Sequence, residues 1–248
     1  MLRSLTTLAV FTFTFPACSN VTADELAGET AADDAAGGKA DATAVDGAYT
    51  YFAVTPDLRK CLSPVCGGYF AARVNRSTTT CSNGHVAGSC YVAELDWSES
   101  NLPDALSQKL IDAAGKDASS GGVYAIARGR IAAQTYGNFG NLGRLVVTEA
   151  WVAESDSGSD GVFVKVKDNG IRCITVPCPS LTEKGLNTSR SANLAEIEWA
   201  PAGFTDREIE GFTSSLYAGG VILAGDRYTV PPHAKGRTAT QAYHRLAP

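Results

Sequence analysis

The sequence lacks a cluster of lysine and arginine, and it has no apolar run long enough to cross a membrane. Its 248 residues include 21 Lys and Arg against 26 Asp and Glu, for a net charge of -5. Binding to a phosphate backbone needs clustered cations, so we expect no nucleic-acid partner. The longest apolar run, 5–15, is about half of the roughly 20 residues that a spanning helix requires. The mature protein should therefore not cross a bilayer.

Residue groups that carry out catalysis are also missing. His85, His233 and His244 are the only histidines, and none has a partner at the spacing of a known nucleophile. No Gly-x-Ser-x-Gly motif, phosphate-binding loop or dinucleotide motif occurs. The sequence thus predicts no catalytic residue and no cofactor, and a protein that is not an enzyme is the preferred interpretation.

Residues 1–18 have the pattern of an export signal, with a positive start followed by an apolar stretch. The Phe-Pro-Ala-Cys sequence that ends at Cys18 resembles a lipobox, in which the cysteine becomes the lipidated N-terminus. Ser19 resembles the sorting context of outer-membrane lipoproteins. We therefore expect an exported envelope protein held by a lipid at Cys18. A cleavage site at 21–23 is the alternative, and it would release a secreted protein.

Residues 19–46 predict a disordered acidic tether. They are rich in Ala, Asp, Glu, Thr and Gly, and they contain no aromatic residue and no apolar periodicity. Such a segment cannot bury enough apolar surface to fold, and its carboxylates repel one another. We expect the tether to hold the folded part away from the membrane.

The remaining chain is predicted to contain two copies of one structural unit, at residues 47–154 and 160–248. Landmarks recur in the same order in both halves, which is improbable by chance. The polar segment that follows the first unit supplies the boundary. The landmarks pair 59–66 with 171–178, 92–97 with 194–199, 102–114 with 204–216, 121–124 with 219–222, and 144–151 with 237–243.

Each unit is predicted to be an antiparallel sheet with one helix, which makes the fold class α+β. Residues 91–97 alternate between apolar and acidic side chains, as in a strand with one buried face. A helix follows at 102–114, with Asn101 as its expected N-cap. In the second unit, Thr205 and Glu208 have the spacing of a capping box.

The cysteines predict a disulfide-stapled protein. Removing Cys18 from the seven cysteines leaves an even number for pairing in an oxidising compartment. Local pairing is the simplest arrangement, although crossed pairing within the first unit stays possible. The spacings fit neither a zinc site nor a redox motif, so we expect no metal. The predicted pairs are Cys61 with Cys66, Cys81 with Cys90, and Cys173 with Cys178.

Two resemblances to known families arise from the first cysteine loop. The stretch Cys61-Leu62-Ser63-Pro64-Val65-Cys66-Gly67 is similar to the Pro-Val-Cys-Gly segment of Kazal-type protease inhibitors, but the rest of that family's pattern is missing. The wider arrangement of lipobox, acidic tether and residues 56–70 resembles an uncharacterised family of bacterial lipoproteins. Because the function of that family is unknown, this resemblance implies no activity.

Paired carboxylates and two loop aromatics are the candidate binding residues. Two carboxylates on one strand face can serve acid-base or calcium chemistry, although a solvated outer face is the ordinary explanation. Aromatic side chains in a glycine-rich loop can contact a ligand or anchor the loop. These candidates are Glu94, Asp96, Glu196, Glu198, Tyr136 and Phe139.

The preferred function is that of a non-catalytic envelope or surface lipoprotein. It would display two related modules on a tether and bind a protein or a glycan. The anchor, the tether and the missing catalytic residues support this interpretation. A secreted protease inhibitor or hydrolase is the alternative.

Overall fold

The computed structural model of the protein describes residues 49–116 and 122–247. The predicted signal peptide (1–18), with Cys18, and the predicted tether (19–46) lie outside the described residues. The helices are α1 (Asp104–Ala114) and α2 (Asp206–Ala218). The strands are β1 (Thr50–Pro56), β2 (Tyr69–Arg73), β3 (Thr79–Thr80), β4 (Val86–Ala87), β5 (Cys90–Val92), β6 (Leu95–Asp96), β7 (Ala125–Ala132), β8 (Arg144–Ala153), β9 (Val162–Asp168), β10 (Leu181–Gly185), β11 (Ser191–Leu194), β12 (Glu196–Glu198), β13 (Val221–Gly225), β14 (Arg227–Val230), β15 (Ala234–Thr238) and β16 (Gln241–Leu246).

One large sheet organises the described part of the chain. Eleven strands belong to it, in the order β11-β10-β9-β13-β16-β8-β7-β1-β2-β5, and β6 joins it by pairing with β8. The pairings along this order are antiparallel, whereas β6 runs parallel to β8. Strands β12, β15 and β14 form a smaller sheet, and β3 pairs with β4. The protein is therefore mainly β.

The expectation of two related α+β units, each with its own sheet, is wrong. Strands β8 and β16 pair at the centre of the large sheet, with Tyr243 opposite Ala153 and Arg245 opposite Trp151. Trp151 and Tyr243 are both completely buried. If each unit had its own sheet, β8 and β16 would be solvent-exposed edge strands. Instead, the two strands are hydrogen-bonded to each other. Local sequence patterns predicted the strands and helices without showing that the sheet continues past residue 154.

The two helices pack on different parts of the large sheet. Helix α1 lies against β1, β7 and β8, where Leu110 and Ala114 enter the main apolar core. Helix α2 lies against β9 and β13, where Phe212 and Leu216 form a second core with Val164. Within the described residues, no helix combines the length and apolar character needed to span a bilayer.

Local helix signals differ in how well they predicted the structure. The capping box of α2 is confirmed, because the Thr205 side chain accepts from the backbone of Glu208 and the Glu208 side chain accepts from the backbone of Thr205. The predicted N-cap of α1 is wrong, since the helix begins after Pro103. Asn101 instead takes a left-handed conformation in the preceding turn.

The single strand predicted at 91–97 is divided in the structure. Strand β5 pairs with β2, and the chain then shifts so that β6 pairs with β8. The amide of Ala93 donates to the Gly143 carbonyl at 3.0 Å, and the amide of Leu145 donates to the Glu94 carbonyl at 3.0 Å. These two bonds hold the chain where it leaves β2 and joins β8.

The sheet curls because Asn187, which follows β10, binds the start of β1. Its side-chain amide donates to the carbonyls of Tyr51 (2.7 Å) and Val74 (2.9 Å), and its side-chain oxygen accepts from the Tyr51 amide at 2.8 Å. In a flat sheet, five intervening strands would keep β1 about 29 Å from β10, at roughly 4.8 Å per spacing. The bonds therefore require a strongly curved sheet.

Asn75, which follows β2, makes the reciprocal set of bonds. Its side-chain amide donates to the carbonyls of Phe163 (2.6 Å) and Leu186 (3.0 Å), and its side-chain oxygen accepts from the Phe163 amide at 2.9 Å. Asn75 and Asn187 both have positive φ, a conformation that asparagine tolerates better than most residues. We call Asn75 and Asn187 the asparagine clasp.

The clasp generates a stability prediction. Asn187→Ala should lower the free energy of unfolding by about 3–5 kcal/mol in total, because the Tyr51 amide and the Val74 carbonyl each lose a buried hydrogen bond at a cost of about 1–2 kcal/mol. The left-handed backbone adds about 1 kcal/mol for alanine. Urea denaturation of the purified, oxidised protein measures the change.

Asn101→Ala is the matched control for this substitution. Asn101 has nearly the same backbone conformation (φ 55° against 56°), but its side chain is exposed. We expect the control to lose only about 1 kcal/mol. Equal losses for the two variants would show that the bonds of the clasp contribute nothing beyond backbone strain.

Candidate functional site

A basic cleft lies where the sheet curls, and it is the candidate functional site. The cavity has a volume of about 480 Å³. Tyr51 and Arg128 line it from β1 and β7, and residues of β9 and β10 line the opposite side. Asn187 of the clasp belongs to the lining as well. The same contact that curves the sheet therefore forms the cleft.

Strand alternation explains why β9 supplies cations to the cleft. Val164 and Val166 enter the core beneath α2, so the side chains between and after them face the other way. Lys165 and Lys167 occupy those positions, and both line the cavity. One side of β9 thus stabilises the core, and the other side carries positive charge.

Strand β10 adds further polar groups in register with β9. Lys184 lies opposite Lys165, and Thr182 lies opposite Lys167. Both β10 side chains line the cleft, as does Ser191 of β11, which is opposite Lys184. Lys165 and Lys184 therefore lie side by side on the face of the sheet that lines the cleft.

The carboxylate of Glu149 lies next to the cations of the cleft. Its oxygens accept from the Arg128 guanidinium at 3.0 Å and from the Trp151 indole at 3.3 Å. The Arg245 guanidinium lies 3.9 Å away from it. Arg128 also lies over the Tyr51 ring, with its guanidinium carbon 5.7 Å from the ring centroid. Glu149 therefore helps to orient Arg128.

Lys165 is the half-buried cation of the cleft. Its ammonium lies 5.2 Å from the centroid of the buried Trp151 ring. Burial lowers the pKa of Lys165, and Glu149 opposes that change, whereas Arg245 and Arg128 lower the pKa further. The amine is therefore less strongly protonated than an ordinary surface lysine.

The arrangement is suited to holding an anion. Ammonium and guanidinium groups provide charge-assisted donors, and the hydroxyl of Ser191 adds a neutral one. A volume of about 480 Å³ lies within the range of small-molecule sites. Among the described residues, no group of three or more His, Cys, Asp or Glu has the arrangement of a metal site.

The three disulfides have the local pairing that the sequence favours. Cys61 joins Cys66, Cys81 joins Cys90, and Cys173 joins Cys178. Disulfides of this number are typical of proteins from an oxidising compartment. Cys18, the predicted lipid carrier, lies outside the described residues.

The first predicted carboxylate pair lies away from the cleft lining. Asp96 accepts from the backbone amide of Ser98 and forms an ion pair with Arg144 at 3.0 Å, and these contacts lower its pKa. Glu94 is exposed, and its carboxylate lies beside the Tyr136 hydroxyl. Burial, together with Glu94, raises the pKa of Tyr136. The structure thus brings three predicted candidates, Glu94, Asp96 and Tyr136, to one region.

The second predicted pair has a similar tyrosine neighbour. Glu196 accepts a hydrogen bond of 2.9 Å from the Tyr228 hydroxyl, and burial together with this carboxylate raises the pKa of Tyr228 to about 12. Glu198 is exposed at the end of β12. Phe139 lies in a 3-10 turn and is 44% exposed. None of these residues lines the cleft.

The cleft residues were not among the candidates from the sequence. The alternation of Val164, Lys165, Val166 and Lys167 was a visible signal, since it predicts a strand with a cationic face. The partners of that face were not visible, because Arg128 and Lys184 come from distant segments. Only the curvature of the sheet brings them together.

The fold and the cleft together define a class: a mainly β, disulfide-bonded domain with a basic ligand-sized cavity. A family model described as Domain of unknown function (DUF6748) matches residues 50–245. Because this match covers most of the sequence, the chain belongs to that family. No curated protein and no solved structure matches the chain.

Proposed function

We propose that the protein is a non-catalytic binding module that holds a small anionic ligand in the basic cleft. The observation that carries this proposal is the convergence of Arg128, Lys165, Lys167 and Lys184 on one cavity. The whole chain has a net charge of -5, so the charge of these four residues is opposite in sign to that of the protein as a whole. A cleft with one sign of charge attracts ligands of the opposite sign.

The cavity also supports a ligand of limited size. Four cations and three residues with hydroxyl groups line a volume of about 480 Å³, which suits a compact anion with further polar groups. The protein or glycan partner expected from the sequence stays a prediction. An acidic sugar at the end of a glycan would present the same chemistry to the cleft.

Anion binding should depend on the cleft lysines. Lys167→Gln with Lys184→Gln should weaken the binding of inorganic phosphate or citrate about tenfold or more, a loss of roughly 1.4 kcal/mol, because two attractive charges are removed. Titration calorimetry at low salt measures the affinity, and binding of the wild-type protein should weaken as salt is added.

Lys109→Gln serves as the control, because Lys109 is an exposed lysine of α1 outside the cleft lining. We expect it to bind the same anions with unchanged affinity. If the control and the double variant lose affinity equally, or if the wild-type protein binds none of these anions, the proposed function is wrong.

We also propose that the folded part is attached to the outer membrane by a lipid at Cys18. The disulfides support an oxidising compartment, and the lipobox-like sequence supports the anchor. The acidic segment 19–46 would then separate the cleft from the bilayer surface. This position suits a protein that captures its ligand from the surrounding medium.

The anchor can be tested by fractionation. Cys18→Ser should move the protein from the membrane fraction to the soluble fraction, because no acyl chain can be attached. Ser19→Ala keeps the cysteine and should leave the protein with the membrane. A Cys18→Ser variant that still sediments with the membrane would contradict the lipid anchor.

We further propose that an internal duplication produced the repeated landmarks. The strand order on one side of the central β8–β16 pair mirrors the order on the other side. Moreover, Asn187 follows Asn75 by the same interval that separates Phe163 from Tyr51 and Cys173 from Cys61. The reciprocal bonds of the clasp follow this spacing.

Protease inhibition is the second candidate, and the first disulfide loop favours it. Leu62 is 71% exposed on a short loop closed by Cys61 and Cys66. A covalently closed loop can present a side chain to a protease at a low entropic cost. Proteases with an apolar specificity pocket are the expected targets.

A protease assay separates the two candidates. The inhibitor hypothesis predicts stoichiometric inhibition of a chymotrypsin-like protease, with complete loss in Leu62→Asp and no loss in Ile174→Asp on the other loop. The anion-binding proposal predicts no inhibition by any of the three proteins. It likewise predicts no turnover of ester or glycan substrates, which is the test of the hydrolase alternative.

A further inference from the structure

We propose that Lys165 captures ligands of the cleft reversibly, by forming an imine with the carbonyl group of a 2-oxo acid. This inference rests on the proposed anion-binding function and names the ligand class. A 2-oxo acid combines a carboxylate, which the neighbouring cations would hold, with an adjacent carbonyl carbon. The class therefore matches a site in which one amine lies among several cations.

The position of Lys165 suits a nucleophilic amine. It lines the cavity from β9 while its ammonium lies over the Trp151 ring. Within residues 49–116 and 122–247, no carboxylate forms an ion pair with it, since Glu149 is engaged by Arg128 and Trp151. The amine is thus open to a ligand and is not held in a salt bridge.

The surrounding charges favour the neutral, reactive form of this amine. Arg128 of β7 and Arg245 of β16 are close enough to lower its pKa, and Lys167 of the same strand acts in the same direction. Glu149 of β8 opposes them, but burial has the larger effect. Desolvation beside other cations is a known way to activate a lysine.

Neighbouring residues would place the carbonyl next to this amine. Lys184 lies directly opposite Lys165 on β10, and such pairs have their Cβ atoms about 5 Å apart. A carboxylate bound by Lys184 and Lys167 therefore leaves the adjacent carbonyl carbon within reach of Lys165. The hydroxyl of Ser191 lines the cleft as well and can donate to the carbonyl oxygen.

The chemical step needs no further reactant. The nitrogen lone pair forms a bond to the carbonyl carbon while the carbonyl π electrons move to oxygen. A proton passes from nitrogen to that oxygen, and the resulting carbinolamine loses water to give the C=N bond. Addition of water reverses the sequence, so the ligand is released unchanged.

Borohydride trapping tests the inference on the purified full-length protein. Pyruvate is the probe, and borohydride delivers hydride to the imine carbon and fixes the adduct as a secondary amine. Peptide mass spectrometry should find the carboxyethyl adduct on Lys165 in preference to other lysines. An excess of inorganic phosphate should lower the amount of adduct that forms, because phosphate competes for the cleft cations.

Two variants make the result specific. Lys165→Arg keeps the positive charge but removes the primary amine, so the adduct should fall by about tenfold or more. Lys109→Arg, on the exposed face of α1, should label like the wild type. Circular dichroism establishes that both variants are folded.

The phosphate titration distinguishes the two levels of the proposal. If phosphate binds but pyruvate labels no lysine, or labels many lysines equally, the imine inference is wrong and the anion-binding function stands. If neither phosphate nor pyruvate binds, both are wrong. We expect the Lys165→Arg variant to bind phosphate normally and to show no labelling by pyruvate at position 165.

Discussion

The structure depends on the asparagine clasp. Asn75 and Asn187 each satisfy one backbone donor and two backbone acceptors of the opposite half of the chain, at the point where the strands of the curled sheet come together. Leaving buried backbone groups without these partners would be costly. The clasp therefore holds the curvature, and the curvature creates the cleft between β1 and β10.

The charged side chains on the two faces of β10 have different surroundings. Glu183 points away from the cleft, is almost completely buried, and accepts from the guanidinium groups of Arg227 and Arg237. That face is a compensated network of the kind that folded proteins require when charges are buried. The next residue, Lys184, points into the cleft opposite another lysine. A strand that neutralises charge on one face and gathers like charge on the other is consistent with a binding role for the second face.

Part of this architecture could be predicted from the sequence, because part of it is local. The pairing of Cys173 with Cys178 follows from a short loop, and the capping box at Thr205 follows from the spacing of two residues. The joining of β8 to β16 could not be predicted, since hydrophobic alternation is identical for an edge strand and a central strand. The division of residues 91–97 into two strands could not be predicted either, because it depends on backbone hydrogen bonds to Gly143 and Leu145, which are distant in the sequence. The clasp itself consists of two asparagines that resemble ordinary turn residues.

The basic cleft was hidden for a similar physical reason. Its cations are far apart in the sequence, which contains no cluster of lysine and arginine. Arg128, Lys165 and Lys184 come from three strands, two of which are adjacent, and the third is brought near by the curled sheet. Sequence proximity is therefore a poor guide to the electrostatics of a curved β structure. The curvature also limits the ligand, because a cleft of about 480 Å³ suits a compact anion, whereas a polymer backbone needs an extended basic surface.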